Sequence, residues 1–415
     1  MKRLLATLLT LCMTGLASAA EEPVLNIYNW ADYIDPSLID EFEAEYGIKI
    51  NYDTYDSAAM VDTKLLTGKS GYDLVMHAAA NSARLIPIGA YQPVDFSALS
   101  NSDNIDPQIM ATMREAFGVE VIGVPYSWGT TGFTYNVDMI RERMPDAPVT
   151  SGALMFDPDV VSRFADCGVT LLDSSTTVIP MALVYLGLPA GSLEPEHLAQ
   201  AEELLSSIRP YIKYFDSAKM LLDIPSKEVC LTMSWSGDYA VAASRAKEAG
   251  VDINLAYNVP VEGATSWYDV VYIPADAPHP GNAHLFLDFI LRPEVIARVT
   301  NFTGYANVNL RAAEFVDPDI LNDPAIYPDQ ATRDRLHPVA MQGPKEERRR
   351  SRAWTKIKSG LYGIRQMREE AKVPNGESKG LSGTPWRGGS DMPYIQVVGV
   401  WQRVGQARAG EKVSV

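Results

Sequence analysis

The apolar positions near the start of the chain alternate between strand-like runs and a helical period. Residues 24–28 (VLNIY) form an apolar-rich run that predicts a buried strand. Asp35 and Pro36 then supply an N-cap and a first helical residue, and Gly47 ends the helix that they begin. The same alternation predicts strands at 48–52 and 72–76 and helices at 58–66 and 82–88. This β-α-β-α order predicts an α/β fold with a mostly parallel sheet flanked by helices.

The alternation resumes after residue 135. It predicts strands at 169–172, 211–215, 229–234, 253–259 and 269–273, and helices at 177–186, 196–208, 237–249, 282–291 and 293–300. No internal repeat and no Pro- or Gly-rich linker separates two halves in this stretch. We therefore expect any two lobes to share several chain crossings.

The last 55 residues, 361–415, have a different character. Gly, Pro, Ser and Asn break every helical period there, and eight basic against five acidic side chains give this segment a net charge of +3. We expect a poorly ordered extension rather than a further domain, with a strand conceivable only at 394–401.

The first 19 residues resemble an export signal. Lys2 and Arg3 precede an apolar run over 4–16, and Ala17-Ser18-Ala19 offers the small residues that a signal peptidase requires. No later apolar stretch is long enough to span a bilayer. We therefore expect residues 1–19 to be removed and the mature protein to be exported and soluble.

Composition and charge narrow the classes of partner. The chain carries 52 acidic and 36 basic residues, a formal net charge of −16. A surface this negative repels phosphate backbones, so nucleic acid is excluded as a partner and cations are favoured. We also expect the protein to be a monomer.

Two cysteines, Cys167 and Cys230, follow the predicted signal peptide. An even pair in a non-reducing compartment favours a disulfide, which would stabilise the fold by about 4 kcal/mol in the chain-entropy model. Two buried free thiols are the alternative.

Signals for catalysis are few. The chain has five histidines and contains neither an HExxH nor a CxxC motif, so the common zinc signatures are absent, and we expect neither a metal site nor a cofactor. His77, at the end of a predicted strand, is interpreted as a structural histidine.

Aromatic residues instead lie beside carboxylates at strand ends. Trp30 with Asp32 and Tyr33 follows the first predicted strand, and Trp235 with Asp238 follows another. The same grouping recurs at Trp267, Asp269 and Tyr305. Ligands of open α/β sheets bind outside the carboxyl ends of strands. Because aromatic faces attract ammonium groups and carboxylates hydrogen-bond them, these residues together predict a slot for an elongated cationic alkylamine.

Each group also has a structural interpretation. A tryptophan at a strand end often covers the core, and the following aspartate often caps the next helix. Tyr305 alone is more typical of a structural residue. Only the joint occurrence of these groups favours a binding site.

The order and spacing of these motifs make the chain similar to a known family. The segments IYNWADYI, VPYSWGTTGFTYNVD, SWSGDYAVAASRAKEAG, YANVN and SRAWTKIKSG, with others between them, resemble the periplasmic polyamine-binding proteins of ABC importers, in particular their putrescine-binding branch. The resemblance runs from about Leu25 to Gly360. It implies a two-lobed periplasmic-binding-protein fold of type II, which closes on its ligand, and a Cys167–Cys230 disulfide.

The resemblance also implies lobes and site residues. Residues 20–130 with 255–310 would form lobe 1, and residues 131–254 with 311–360 would form lobe 2. The implied ligand-binding residues are Trp30, Asp32, Tyr33, Trp235, Asp238, Trp267, Asp269 and Tyr305. Asp269 and Asp32 would hold one ammonium group and Asp238 the other. Two positions depart from the family pattern: Ala78 replaces a serine, and Thr177 belongs to a pair of threonines that replaces an acidic pair.

The function that follows is that of a receptor for import. The protein would capture a polyamine or related cation in the periplasm and deliver it to the ABC permease of the inner membrane, without catalysis. Two alternatives stay open: a sensory amine-binding module on the same fold, and an exported hydrolase acting on amines, which the lack of a nucleophile–histidine pairing disfavours.

Overall fold

The β-α alternation predicted for the start of the chain is present in the computed structural model, which describes residues 21–55, 57–118 and 120–360. All of these residues belong to one compact unit. The predicted signal peptide and the predicted C-terminal extension lie outside the described residues, and both stay predictions.

The strands of the described residues are β1 (Val24–Trp30), β2 (Lys49–Tyr55), β3 (Leu74–Ala78), β4 (Tyr91–Gln92), β5 (Val124–Asn136), β6 (Val169–Leu171), β7 (Ile212–Phe215), β8 (Leu231–Trp235), β9 (Leu255–Asn258), β10 (Ala264–Pro274), β11 (Ala306–Asn307) and β12 (Leu336–Pro338).

The helices of the same residues are α1 (Pro36–Tyr46), α2 (Ala58–Leu66), α3 (Ala79–Ser82), α4 (Pro107–Phe117), α5 (Val137–Arg143), α6 (Ala153–Phe156), α7 (Pro158–Val161), α8 (Ser175–Tyr185), α9 (Pro195–Ile208), α10 (Met220–Asp223), α11 (Ser236–Glu248), α12 (Pro280–Ile290), α13 (Pro293–Thr303), α14 (Pro318–Leu321), α15 (Gln330–Arg333) and α16 (Pro344–Ser359).

Helix α1 shows how local sequence sets these boundaries. The Asp35 carboxylate accepts a hydrogen bond from the Ser37 backbone N–H at 2.9 Å, and Pro36 occupies the first turn, where its missing N–H is not needed. Gly47 ends the helix with a φ of +67°, a conformation that glycine adopts without steric strain. Both ends agree with the prediction from sequence.

The predicted helix at 82–88 is wrong. The helical residues are those of α3, and the chain from Ala83 to Gly89 forms turns. Pro87 lacks a backbone N–H and disfavours the helical conformation of the residue before it, which explains why α3 does not continue.

The main sheet has the strand order β2-β1-β3-β10-β5-β8-β6-β7. Strand β1 is parallel to β2 and β3, and β6 is parallel to β7 and β8. Between these two parallel groups run β10 and β5, which pair antiparallel with each other and with their other neighbours on this path. The two long strands therefore join two parallel groups into a single sheet.

Two main hydrophobic cores flank this junction. The first core consists of buried residues from 25–128 and 268–326, and the second of buried residues from 133–264 and 353–357. All 13 residues of β5 are buried, with Trp128 in the first core and Phe133 in the second. The chain thus passes from one core to the other within β5, and again within β10. This is the organisation of a two-lobed α/β fold, as predicted; the exact lobe boundaries stay a prediction.

The disulfide is present. Cys167 and Cys230 are bonded, with their Cα atoms 5.5 Å apart, and both are buried in the second core. Cys167 lies two residues before β6, and Cys230 lies directly before β8. The bond therefore links these two neighbouring parallel strands at their N-terminal ends.

Candidate functional site

Two of the predicted tryptophans occupy strand ends. Trp30 is the last residue of β1 and Trp235 the last residue of β8. Both are half-buried. Helix α11 begins directly after Trp235 and carries Asp238 in its first turn. Trp267 and Asp269 lie two residues apart within β10, so their side chains lie on the same face of the sheet.

Asp269 forms a buried pair with Tyr33. The side chain of Asp269 is only 6% exposed, and its Oδ2 accepts a hydrogen bond from the Tyr33 hydroxyl at 2.8 Å. The same hydroxyl lies 2.7 Å from Oγ of Ser127. Burial raises the pKa of Asp269 to about 7, because the ionised carboxylate is poorly solvated there, and the Tyr33 hydrogen bond opposes this shift only in part.

Asp238 forms a second pair of the same kind. Its Oδ1 accepts a hydrogen bond from the Tyr305 hydroxyl at 3.0 Å. Its Oδ2 is buried and has no hydrogen-bond partner among the described residues. Burial raises the pKa of Asp238 to about 7, and the Tyr305 hydrogen bond again opposes the shift.

The Tyr305 ring brings its own pair with Asp238 into contact with the pair of Tyr33 and Asp269. Its centroid is 5.8 Å from that of Tyr33 and 4.9 Å from that of Trp267, which it meets edge to face at 85°. The two carboxylates are therefore joined through Tyr33 and Tyr305, with the Trp267 indole against the same ring. We call Tyr33, Asp238, Trp267, Asp269 and Tyr305 the aspartate–tyrosine cluster.

Glycines permit this close packing. A Cβ atom at Gly237 would lie 2.3 Å from the Tyr305 ring, and one at Gly129 would lie 2.4 Å from the Trp267 indole. Neither distance is compatible with van der Waals contact. Gly237 lies in the motif SWSGDY and Gly129 in YSWGTTGF, so each glycine comes from a different segment than the ring it contacts.

Sequence reasoning missed these glycines and Ser127 as part of the site. The available signal was a glycine one or two residues after a tryptophan, at Gly129 after Trp128 and Gly237 after Trp235, because glycine often marks a close approach of backbone to another group. Nothing local marks Ser127, which reaches Tyr33 only through the pairing of distant segments.

Trp30 and Asp32 lie at the edge of the first core. The Trp30 ring packs against that of Tyr55 with a centroid distance of 4.4 Å, and its indole Nε1 is buried without a hydrogen-bond partner among the described residues. Asp32 is exposed and has a φ of +53°. Burial raises the pKa of the Tyr52 hydroxyl, and the charge of Asp32 adds to this shift. The structure thus buries Asp269 but leaves Asp32 at the surface.

The two positions that depart from the family pattern lie in different elements. Ala78 is paired with Asp269 between β3 and β10, directly beside the cluster. Thr177 lies in the first turn of α8, where its hydroxyl is 2.9 Å from Oγ of Ser174.

His77 precedes Ala78 and is fully buried. Its Nδ1 lies 2.7 Å from the Tyr91 hydroxyl. Burial, with a smaller contribution from Arg84, lowers the pKa of His77 to about 3, so the imidazole is neutral. This agrees with its interpretation as a structural histidine.

No group of three or more His, Cys, Asp or Glu side chains in the described part of the chain is arranged to hold a metal ion. Over those same residues, no helix combines the length and the apolar composition needed to cross a membrane.

Residues 37–328 match the model of a protein family described as bacterial extracellular solute-binding protein. The chain belongs to this family. The match covers most of both cores and includes every residue of the aspartate–tyrosine cluster except Tyr33. The resemblance stated from the sequence motifs is therefore confirmed.

Curated relatives cover nearly the whole described chain. The putrescine-binding periplasmic protein SpuD of Pseudomonas aeruginosa is 41% identical over 360 residues, which is 86% of this chain and 98% of that protein. The putrescine-binding periplasmic protein PotF of Escherichia coli is 38% identical over 344 residues, 82% of this chain and 93% of that protein.

Solved structures of other proteins show the same fold. A putative spermidine/putrescine ABC transporter protein from Listeria monocytogenes superposes with a TM-score of 0.71 at 29% identity, covering 81% of this chain and 99% of that one. The substrate-binding protein PotD of Streptococcus pneumoniae gives a TM-score of 0.69 at 27% identity, with the same coverage. The predicted fold class is confirmed by these similarities.

Proposed function

We propose that this solute-binding protein is the receptor of an ABC import system, which captures a polyamine or related cationic alkylamine in the periplasm and delivers it to the permease of the inner membrane. The names of the relatives support the substrate class and the compartment. The observation that carries the proposal is a pair of carboxylates, Asp238 and Asp269, each hydrogen-bonded to a tyrosine hydroxyl, with the rings of the two tyrosines 5.8 Å apart.

The charge balance of this pair favours a cationic ligand. Neither Asp238 nor Asp269 forms an ion pair with a Lys, Arg or His side chain among the described residues. A buried carboxylate without a positive partner is costly, and it either takes up a proton or binds a cation. An alkylamine with an ammonium group at each end would supply two positive charges to two carboxylates, with charge-assisted hydrogen bonds to both.

The aromatic rings suit the rest of such a ligand. Trp267 and Tyr305 belong to the cluster and meet edge to face, and Trp30 and Trp235 are the last residues of β1 and β8. Indole and phenol faces pack against methylene groups and attract ammonium groups by about 0.5–2 kcal/mol. In this proposal Asp269 holds one ammonium group, with Asp32 adding its charge from the surface, and Asp238 holds the other.

The position of the cluster explains how binding would be reported. Tyr33 belongs to the first core and Asp269 lies in β10 between two residues of that core, whereas Asp238 follows a strand of the second. A ligand that contacts both cores binds the closed arrangement more tightly than an open one, and so it shifts the population toward closure. The closed form would then be the one that the permease recognises, and the receptor itself would carry out no chemistry.

Isothermal titration calorimetry on the purified mature protein tests the proposal. The ligands are putrescine, cadaverine, agmatine, spermidine and 4-aminobutyrate, and the control is a protein carrying both Asp238→Asn and Asp269→Asn. We expect at least one of the amines to bind with a dissociation constant of about 1 µM or below, and the double variant to bind none of them. Absence of binding by all five compounds would overturn the proposal.

A further inference from the structure

The Trp267 indole N–H is a buried donor without an acceptor. Trp267 Nε1 has no hydrogen-bond partner among the described residues, although the atom is inaccessible to solvent. Its counterpart Trp354 in the second core shows the usual arrangement, since Trp354 Nε1 donates to Oδ1 of Asp173 at 3.1 Å. Buried indole N–H groups usually find such a partner, so an unpaired one within a ligand site points to a partner on the ligand.

The location of this donor is well defined. Trp267 and Asp269 lie on the same face of β10, two residues apart. On its other side the indole contacts the Tyr305 ring, whose hydroxyl is bonded to Asp238. The indole that carries the unpaired N–H is therefore next to both carboxylate pairs: it shares a face of β10 with Asp269 and contacts the tyrosine that is bonded to Asp238.

A simple diamine cannot satisfy this group. At neutral pH its two ammonium groups are donors only, and the methylene chain between them has no acceptor. The buried Oδ2 of Asp238, by contrast, is an unpaired acceptor that an ammonium group satisfies. The cluster thus contains an unpaired acceptor, Oδ2 of Asp238, and an unpaired donor, the Trp267 indole N–H, which neighbours both carboxylate pairs. A carboxylate on the ligand would bring a third negative charge next to Asp238 and Asp269, which excludes an anionic acceptor at that place.

We propose that the preferred ligand is an alkyl diamine that carries a neutral oxygen acceptor, a hydroxyl or a carbonyl, on the chain between its two ammonium groups, and that the indole N–H of Trp267 donates to this oxygen. This inference rests on the proposed function, because it takes the aspartate–tyrosine cluster as the amine site. It adds a specificity-determining residue and narrows the substrate class.

A matched pair of probes tests it: putrescine and 1,4-diaminobutan-2-ol, which differ by one oxygen atom. Each is titrated calorimetrically into the wild-type protein and into Trp267→Phe, which keeps an aromatic ring but lacks the N–H. For the wild type we expect the hydroxylated diamine to bind about tenfold more tightly. For Trp267→Phe we expect the two affinities to agree within about twofold, so the ratio between the two diamines reports the loss of the N–H, whatever the substitution does to the affinity for both.

Trp354→Phe is the control. It removes an indole N–H far along the chain, in the second core, and should leave the preference for the hydroxylated diamine unchanged. A fluorescence melting curve and a circular dichroism spectrum establish that each variant is folded before titration.

The outcomes separate this inference from the proposed function. If the wild type binds both diamines equally, or if the preference survives in Trp267→Phe, the proposed role of the indole is wrong, whereas the proposed function as an amine receptor is unaffected. A water molecule that accepts the hydrogen bond of the indole would give this result. Absence of binding by both diamines would overturn this inference, and it would overturn the proposed function as well only if cadaverine, agmatine, spermidine and 4-aminobutyrate also fail to bind.

Discussion

The hydroxyl of Tyr305 donates a hydrogen bond to Oδ1 of Asp238 at 3.0 Å, and this bond joins two segments that lie 67 residues apart in the sequence. Tyr305 packs against the first core, whereas Asp238 lies in the helix that follows a strand of the second. The contact depends on Gly237, whose missing side chain lets the Tyr305 ring approach the helix. A ligand held by Asp238 would therefore meet both halves of the protein at one tyrosine.

The Asp238→Asn substitution should lower the affinity for a diamine by at least about thirtyfold, because truncating one partner of a buried charge pair costs about 2–5 kcal/mol. The amide still accepts from Tyr305 but has no charge. Calorimetric titration measures the loss. Asp159→Asn, at an exposed carboxylate in the first turn of α7, removes the same charge elsewhere and should have little effect. An Asp238→Asn protein that binds within about threefold of the wild type would contradict the assignment.

Asp269 and Asp32, which the proposal assigns to the ammonium group that Asp238 does not bind, should contribute unequally to the affinity. Asp269 is buried and Asp32 is exposed, and charges at an exposed position are screened by water and salt. We expect Asp269→Asn to lower affinity by at least about thirtyfold and Asp32→Asn by no more than about threefold, the latter effect shrinking at high salt. Equal losses would show that Asp32 contacts the ligand directly.

Ligand binding should release protons at mildly acidic pH. Burial raises the pKa of both Asp238 and Asp269 to about 7, so both are mostly protonated at pH 6 and ionised at pH 9. An ammonium group favours the ionised form, and binding therefore expels the protons. We expect release of about two protons per ligand at pH 6 and almost none at pH 9, with affinity falling as the pH decreases below 7.

Calorimetry in buffers of different ionisation enthalpy counts these protons. The single variants Asp238→Asn and Asp269→Asn should each release about one proton fewer per ligand than the wild type at pH 6. Their residual binding is measured at high ligand concentration. A proton count near zero at both pH values would mean that the carboxylates are ionised before the ligand arrives.

Gly237→Ala should separate Tyr305 from Asp238. The added methyl group would meet the Tyr305 ring at 2.3 Å, and overpacking of this kind costs about 1–3 kcal/mol. We expect at least about tenfold weaker diamine binding, together with a lower melting temperature. Gly191→Ala is the matched control, because the nearest atom to its Cβ would be a methyl group of Val339 at 3.9 Å. Unchanged binding by Gly237→Ala would indicate that the tyrosine is free to move.

The disulfide should stabilise the fold without setting the affinity. Cys167 and Cys230 are separated by 63 residues, and closing a loop of that size contributes about 4 kcal/mol in the chain-entropy model. Replacing both cysteines by serine should lower the free energy of unfolding by about this amount, measured by urea titration. Diamine affinity at 25 °C should change little, since the bond joins segments inside the second core. A large loss of affinity with unchanged stability would contradict this separation.

Local sequence was sufficient for much of the fold. The N-cap Asp35, the first-turn Pro36 and the terminal Gly47 define α1 through interactions within a few residues, and the structure agrees with each of them. The alternation of strands and helices was sufficient for the α/β class, because each element has its own apolar period. Strand β5 was not predicted in this way. All 13 of its residues are buried, so its sequence shows no alternation of apolar and polar positions, and it contains two glycines and a proline.

The sequence by itself determined which chemical groups are available: tryptophans at strand ends, aspartates after them and a cysteine pair. Tertiary structure alone decided how they meet. Tyr33 and Asp269 are 236 residues apart, and Tyr305 and Asp238 are 67 residues apart, yet each pair shares a hydrogen bond. Burial, which depends on the packing of whole strands, separates Asp269 from the exposed Asp32 and raises its pKa. Desolvation of a carboxylate depends on all the residues that surround it in the folded protein, so no short stretch of sequence determines it.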